Sequence, residues 1–315
     1  MTLNKRSQGI ALAAAGASFW GINGAFADVV FSKFGAPVEW VVGTRLLMAG
    51  LLILLYAKFV KKQAILAIFK SKTDTLRLII FGIVGMIGGQ YLFFLSIEIN
   101  GAGLATVLQF TSPIVIYLYL VFKKEKMVYF KEIIYILLTF LGVFLIVTKG
   151  NLGQLDVSKN GLLIGIASAV GVAFYTLQPR TLLKEYGAPL SVGWGMLIGG
   201  STFQLVHPIW QPGFEVNSKV ILYMSFIIVV GTALAFSCYL ASVNYIEASL
   251  TNIIAATEPL VANILTPLLL GQSWTTVQLL GIAIVIASVV LFANYGEKRN
   301  RLQNQATALS VGENL

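Results

Sequence analysis

The sequence predicts an all-α membrane protein: ten transmembrane helices forming two five-helix repeats of inverted topology, with both termini cytoplasmic. Three observations carry this. Only 11% of the 315 residues are charged and 57% are hydrophobic, whereas a soluble domain carries about a quarter charged residues to face water. Lys and Arg gather in alternate connectors. The string FGAPVEW at 34–40 returns as YGAPLSV at 186–192.

Ten apolar stretches reach the roughly 20 residues that a spanning helix needs. They are 9–31, 37–57, 76–97, 101–122, 130–148, 160–179, 190–210, 220–243, 248–270 and 275–295. The first follows Asn4-Lys5-Arg6 as a signal peptide would. Its apolar run continues past Trp20 and Ala27, beyond the about 7–15 residues of a cleavable segment. It therefore reads as an uncleaved first span. No connector is long enough for a soluble domain, and the tail after Gly296 is polar and reads as disordered. No period-two alternation suggests a barrel.

Lys and Arg mark the cytoplasmic face of a membrane protein. With the N-terminus inside, seventeen fall in cytoplasmic segments, among them Lys58, Lys124, Arg180 and Arg299. Only Lys33, Lys149, Lys159 and Lys219 fall outside, and Arg45 lies within a span. The net charge of +9 thus describes a membrane face and calls for no nucleic acid.

The returning string belongs to a longer pattern. At an offset of 152, Gly9 meets Gly161, Gly35-Ala36-Pro37 meets Gly187-Ala188-Pro189, and Gly43 meets Gly195. Further on the offset is 146: Gly85 meets Gly231, Ser96 meets Ser242, Thr111 meets Thr257 and Pro113 meets Pro259. This divides the chain into a cytoplasmic N-terminus (1–8), a first repeat (9–149), an external connector (150–159), a second repeat (160–295) and a cytoplasmic tail (296–315). Five spans is an odd number, so the copies face opposite ways. Inverted repeats of this kind build secondary transporters, with the substrate near the midplane at the repeat interface.

Other classes lack their signatures. Cys238 and His207 are the only residues of their types, so neither a disulfide nor a metal cluster is expected. No P-loop, nucleophile elbow or paired carboxylates occur, which argues against an enzyme, a bound cofactor and ATP-driven transport. A channel would need a continuous polar stripe or a carbonyl filter. The expected partners are a small-molecule substrate and the lipid bilayer, with energy from a proton gradient or the substrate's own.

Charges inside the bilayer cost about 2.5–3.5 kcal/mol each and so face partners or wet cavities. Glu258 sits mid-span before Pro259. It reads either as a counter-charge or proton-coupling site, or as a structural partner for backbone freed by the proline. Arg45 suits a substrate carboxylate or an acidic partner, or carries its charge toward a polar interior on its long stem. Asp28, Glu39, Glu98 and Glu247 fall at span ends and read as solvated. Gly16, Trp20, Asn23 and Ala27 share one helical face, and their equivalents at 152 are Ser168, Val172, Tyr175 and Pro179. Trp20, Asn23 and Tyr175, with Gln109, would line a central cavity with aromatic walls and a few polar groups. Pro113 and Pro259 are candidate hinges. The pairs Gly85/Gly89, Gly161/Gly165 and Gly195/Gly199 have the spacing of close helix packing.

An ordered set of short motifs adds to this: Trp20-Gly21, Arg45, Thr111-Ser112-Pro113, Lys124-Glu125, Glu258-Pro259 and Leu280-Gly281. Over residues 9–295 the chain resembles the drug/metabolite transporter superfamily, in its EamA-type branch. The resemblance implies export of amino acids, related metabolites or drugs across a bacterial cytoplasmic membrane. An importer of an organic cation such as choline is the alternative. Gln272 departs from the family, which usually has Glu there, and external gating is expected to differ accordingly.

Overall fold

The computed structural model describes residues 4–151, 159–261 and 275–312. Helix α1 (Lys5–Phe34) starts at Asn4, whose side chain accepts from the Arg6 amide. It ends at Gly35, with φ 63°, a left-handed conformation that only glycine adopts without strain. Pro37 then opens α2 (Val38–Leu55). The second Gly-Ala-Pro does the same work: Gly187, with φ 77°, breaks α8 (Arg180–Phe203) just before Pro189. Between them lie α3 (Lys72–Ile80), α4 (Gly88–Gln109), α5 (Ser112–Phe122), α6 (Phe130–Thr148) and α7 (Lys159–Leu177). After α8 come α9 (Ser218–Ile228), α10 (Ala235–Ser242), α11 (Ala248–Ile254) and α12 (Thr276–Gly312). No strand occurs among the described residues.

Eight helical segments among the described residues are long and apolar enough to cross a membrane. The two expected spans missing from that set have identifiable causes. The helix of one starts only after the break at Gly187 and ends at Phe203, short of the expected 190–210; the other is broken at 255–256, and its expected residues 262–270 lie outside the described residues. Gln272 also lies outside them. The tail departs from expectation, since α12 stays helical to Gly312; Lys298–Leu302 and Gln303–Leu309 are rich in helix formers.

Glycines set the helix pairing. Gly50 of α2 abuts Gly193 and Leu197 of α8, while Gly200 abuts Leu46 and Leu47 and Gly43 abuts Phe203. Numbers rise on one helix as they fall on the other, so the two run antiparallel. The same holds for α6 and α12, where Gly142 and Gly281 meet and Thr139 Oγ1 lies 2.9 Å from Ser288 Oγ. Gly85 and Gly89 pack on Tyr175, Gly165 on Leu108, and Gly195 and Gly199 on Phe81 and Gly82, as close packing requires.

Two π-helical turns, Phe81–Ile87 and Val229–Leu234, precede α4 and α10. They contain Gly85 and Gly231, which stand 146 apart. A π turn carries an extra residue and loosens the carbonyl ladder; Thr232 Oγ1 donates to the Ile227 carbonyl at 2.8 Å to fill the second one. Helix α4 cannot be straight. Gly171 touches Gly88 and Gly89 while Gly165 touches Leu108. Those two positions on α7 are about 9 Å apart, against about 28 Å for 89 to 108 along a straight helix. The chain therefore bends inside α4 between those two contacts.

Ion pairs and several further side-chain hydrogen bonds gather at the two ends. At one end Lys126, Glu132, Glu247 and Arg299 form a closed ring of ion pairs of 2.6–3.1 Å. Arg180 pairs with Glu125 there, and Gln178 donates to the Arg77 carbonyl. At the other end Tyr91 Oη donates to Glu39, and Trp40 Nε1 donates to the Ile209 carbonyl. Glu39 and Glu247 are therefore bonded, not merely solvated as their span-end positions suggested. The side chains of Asp28 and Glu98 lie outside the described residues.

Candidate functional site

The midpoints of two spans are built alike. The helix ending at Gln109 breaks at 110–111 and restarts with Ser112-Pro113; the one ending at Ile254 breaks at 255–256 and resumes at Thr257-Glu258-Pro259. Proline lacks an N–H and suits the first turn of a helix, so each restart falls where its ring is tolerated. Thr111 Oγ1 donates to the Leu108 carbonyl at 2.7 Å and Thr257 Oγ1 to the Ile254 carbonyl at 2.6 Å, the same bond at both breaks. Pro113 and Pro259 thus sit at helix discontinuities.

Between the breaks lies a small cavity of about 20 Å³, room for about one water. Trp20, Val172 and Tyr175 line it from α1 and α7; Gln109, Phe110 and Ser112 from the first break; Asn252, Ala255 and Glu258 from the second; and Tyr239 from α10. The register is informative. Trp20 and Val172 are 152 apart, Gln109 and Ala255 are 146 apart, and so are Ser112 and Glu258. Three pairs of equivalent positions face one space.

The aromatic wall is continuous. Trp20 lies 4.8 Å from both Phe236 and Tyr239 between ring centroids, and Tyr175 lies 5.6 Å from Phe236. Gly16 lets α1 approach Ala235 and Tyr239, which brings Trp20 against this cluster.

Four of the six candidates from the sequence, Trp20, Gln109, Tyr175 and Glu258, meet in the cavity. Asn23 and Arg45 do not line it. Asn23 is buried against Gly231 of the π turn, and its Oδ1 has no hydrogen-bond partner among the described residues. Arg45 is 3% exposed, with its guanidinium 4.6 Å above the Phe94 ring and its Nε unpartnered. Sequence reasoning missed Ser112, Tyr239, Asn252 and Thr176. Ser112 was discoverable, because it holds the register of Glu258; Asn252 and Tyr239 carry no comparable signal.

Two larger cavities, about 390 and 270 Å³, flank the ring of ion pairs, and both include Glu247. Burial pushes the Glu247 carboxyl up, but Lys126 and Arg299 outweigh this and hold it below the usual carboxylate range. Groups that could hold a metal ion are absent among the described residues.

Comparison with known proteins agrees with this architecture. The chain is 35% identical over 285 residues to an uncharacterized inner membrane transporter, YicL, of Salmonella typhimurium, covering 90% of this chain and 95% of the relative. It is 27% identical over 266 residues to the threonine/homoserine exporter RhtA of Escherichia coli, covering 83% of each. A crystal structure at 14% identity shares the fold, with a TM-score of 0.76 over 91% of this chain and 96% of its own. The EamA-like transporter family matches twice, at residues 7–148 and 159–294. This protein belongs to the EamA-like transporter family and crosses the membrane several times.

Proposed function

We propose that the chain is a secondary active transporter of the bacterial cytoplasmic membrane. It exports amino acids or related small metabolites by alternating access, through a site between two inverted five-span repeats. The observation that carries this reading is the cavity at the paired helix breaks, lined by Trp20/Val172, Gln109/Ala255 and Ser112/Glu258 in equivalent register. A site on the axis relating two halves can be exposed by either half in turn.

Antiparallel crossing of α2 with α8, and of α6 with α12, supports opposite orientation of the repeats. The ion-pair ring joins segments that the Lys and Arg distribution assigns to the cytoplasm, which supports a cytoplasmic end for both termini. A cavity with room for only about one water fits a closed conformation, so the site must widen to admit a substrate. The prolines and π turns are where we place that movement. Glu258 serves as counter-charge to a substrate ammonium group or as the proton-coupling group.

A second reading, import of an organic cation such as choline, is favoured by the Trp20, Tyr175 and Tyr239 rings beside Glu258, since aromatic faces attract cations. The experiment is counterflow in proteoliposomes, with labelled L-threonine and labelled choline tested separately for wild type and Glu258→Gln. Saturable threonine exchange impaired in the variant supports the exporter reading; choline exchange alone supports the cation reading. Exchange unaffected by Glu258→Gln at every pH removes that residue from the site, and linear, non-saturating flux removes the carrier mechanism.

A further inference from the structure

Three residues lining the cavity, Ser112, Asn252 and Tyr239, form an ordered hydrogen-bond chain that ends on Thr176. Ser112 Oγ donates to Asn252 Oδ1 at 2.8 Å, Asn252 Nδ2 donates to Tyr239 Oη at 2.9 Å, and Tyr239 Oη lies 3.3 Å from Thr176 Oγ1. Thr176 already donates its one hydroxyl proton to the Val172 carbonyl at 2.7 Å. It must therefore accept from Tyr239. This sets the direction of the whole chain and decides which end of the Asn252 amide faces Ser112. With the amide reversed, Tyr239 would give its proton to Asn252 and the Thr176 contact would hold two acceptors.

What remains is specific. One N–H of Asn252 and the lone pairs of Ser112 Oγ are uncommitted among the described residues, and both side chains line the cavity. Ser112 is 3% exposed and Asn252 2%, so packing and the chain hold them in place. They offer one donor beside one acceptor, with no charge. A carboxylate would need two donors, and a methyl group would satisfy neither atom. A hydroxyl both gives and accepts, and it matches.

Register sharpens the point. Ser112 and Glu258 hold the same place in the two halves, each before a proline, one neutral and one carboxylic. A ligand spanning them meets a different chemistry at each end.

We propose that Ser112 and Asn252 are specificity-determining residues that recognise a hydroxyl group on a substrate whose ammonium group is held by Glu258. The substrate class is a hydroxylated ammonium compound, a hydroxy-amino acid or an amino alcohol. This rests on the cavity being the transport site.

The test compares probes that differ by one hydroxyl: L-threonine against L-2-aminobutyrate, and choline against ethyltrimethylammonium. Each pair is measured by counterflow in one batch of proteoliposomes, so that the ratio is independent of the amount of folded protein. A buried donor and acceptor left unpaired opposite a methyl group disfavour the deoxy compound. Wild type is expected to prefer the hydroxylated member of one pair by at least about tenfold in kcat/KM. Ser112→Ala should bring that ratio within about twofold, and Ser112→Thr, which keeps the hydroxyl, should restore most of it. Equal exchange of both members by wild type overturns the proposal and leaves the cavity as a transport site. So does a preference that survives Ser112→Ala. Exchange of no probe at all overturns both the proposal and the reading beneath it.

Discussion

Lys126 Nζ lies 2.7 Å from Glu247, 121 positions away in the chain, and 3.1 Å from Glu132, which is 1% exposed. Arg299 closes the ring from α12. Removing one member of a buried ion pair leaves a charge uncompensated, at a cost of about 3–5 kcal/mol. Glu132→Leu is expected to destabilise the protein by about 3 kcal/mol. Glu247→Gln, at the exposed rim, should cost about 1 kcal/mol or less. Reversible unfolding in mixed micelles measures both.

The ring also predicts a pH dependence. Lys126 and Arg299 depress the folded-state pKa of Glu247 below its ordinary value of 4.5. A depressed carboxylate contributes stability that is full above the unfolded pKa and is lost as pH falls through the folded one. Between pH 7 and the ordinary carboxylate value the contribution stays constant. Below it, wild type should lose Tm more steeply than Glu247→Gln; parallel curves down to pH 3 would remove this group from the acid response.

The α2–α8 seam should tolerate no side chain at its glycines. A Cβ on Gly50 would stand 2.8 Å from the Gly193 carbonyl oxygen and 2.9 Å from Leu197 Cα. Backbone cannot give way as a side-chain tip can, so Gly50→Val should cost about 1–3 kcal/mol or block folding. Gly24 has nothing within 4 Å of the same position, and Gly24→Ala should be neutral or gain about 0.5–1 kcal/mol. Thermal midpoints in detergent separate the two.

Pro113 and Pro259 sit at the two helix breaks. Replacing either by Ala restores a backbone donor and favours a continuous helix. Turnover in counterflow should fall about tenfold, roughly 1.4 kcal/mol in barrier, with ligand affinity changed far less. Equal losses in both quantities would point to a misshapen site instead of slowed movement.

Orientation is open to a direct check. In a Cys238→Ala background, a single cysteine at the exposed Lys33 should react with an impermeant thiol reagent from outside intact cells, and one at the exposed Lys184 only after permeabilisation. The opposite pattern at both positions would reverse the topology, and the same pattern at both would remove the inversion of the repeats.

Much of this was legible in the chain itself. Insertion energy is a sum over about 20 neighbouring residues, so most spans could be read locally, and Gly35 and Gly187 announced helix breaks because only glycine takes a positive φ cheaply. Helical period placed Trp20 and Asn23 on one face. It could not say which part of that face meets the cavity and which meets the π turn at Gly231, because a partner helix more than 200 residues away makes that choice.

The sequence by itself therefore determined the membrane class, the approximate spans, the charge asymmetry and the two-copy register, all properties of local composition or of self-comparison. Tertiary structure alone decided that Trp20, Gln109, Tyr175 and Glu258 share one cavity while Arg45 stacks on Phe94. It also decided that Ser112, Asn252, Tyr239 and Thr176 join in one directed chain, and that Lys126, Glu132, Glu247 and Arg299 close a ring. Those are contacts between residues as far apart as Trp20 and Glu258 in the chain, set by where glycines let helices touch, and no local sum contains them.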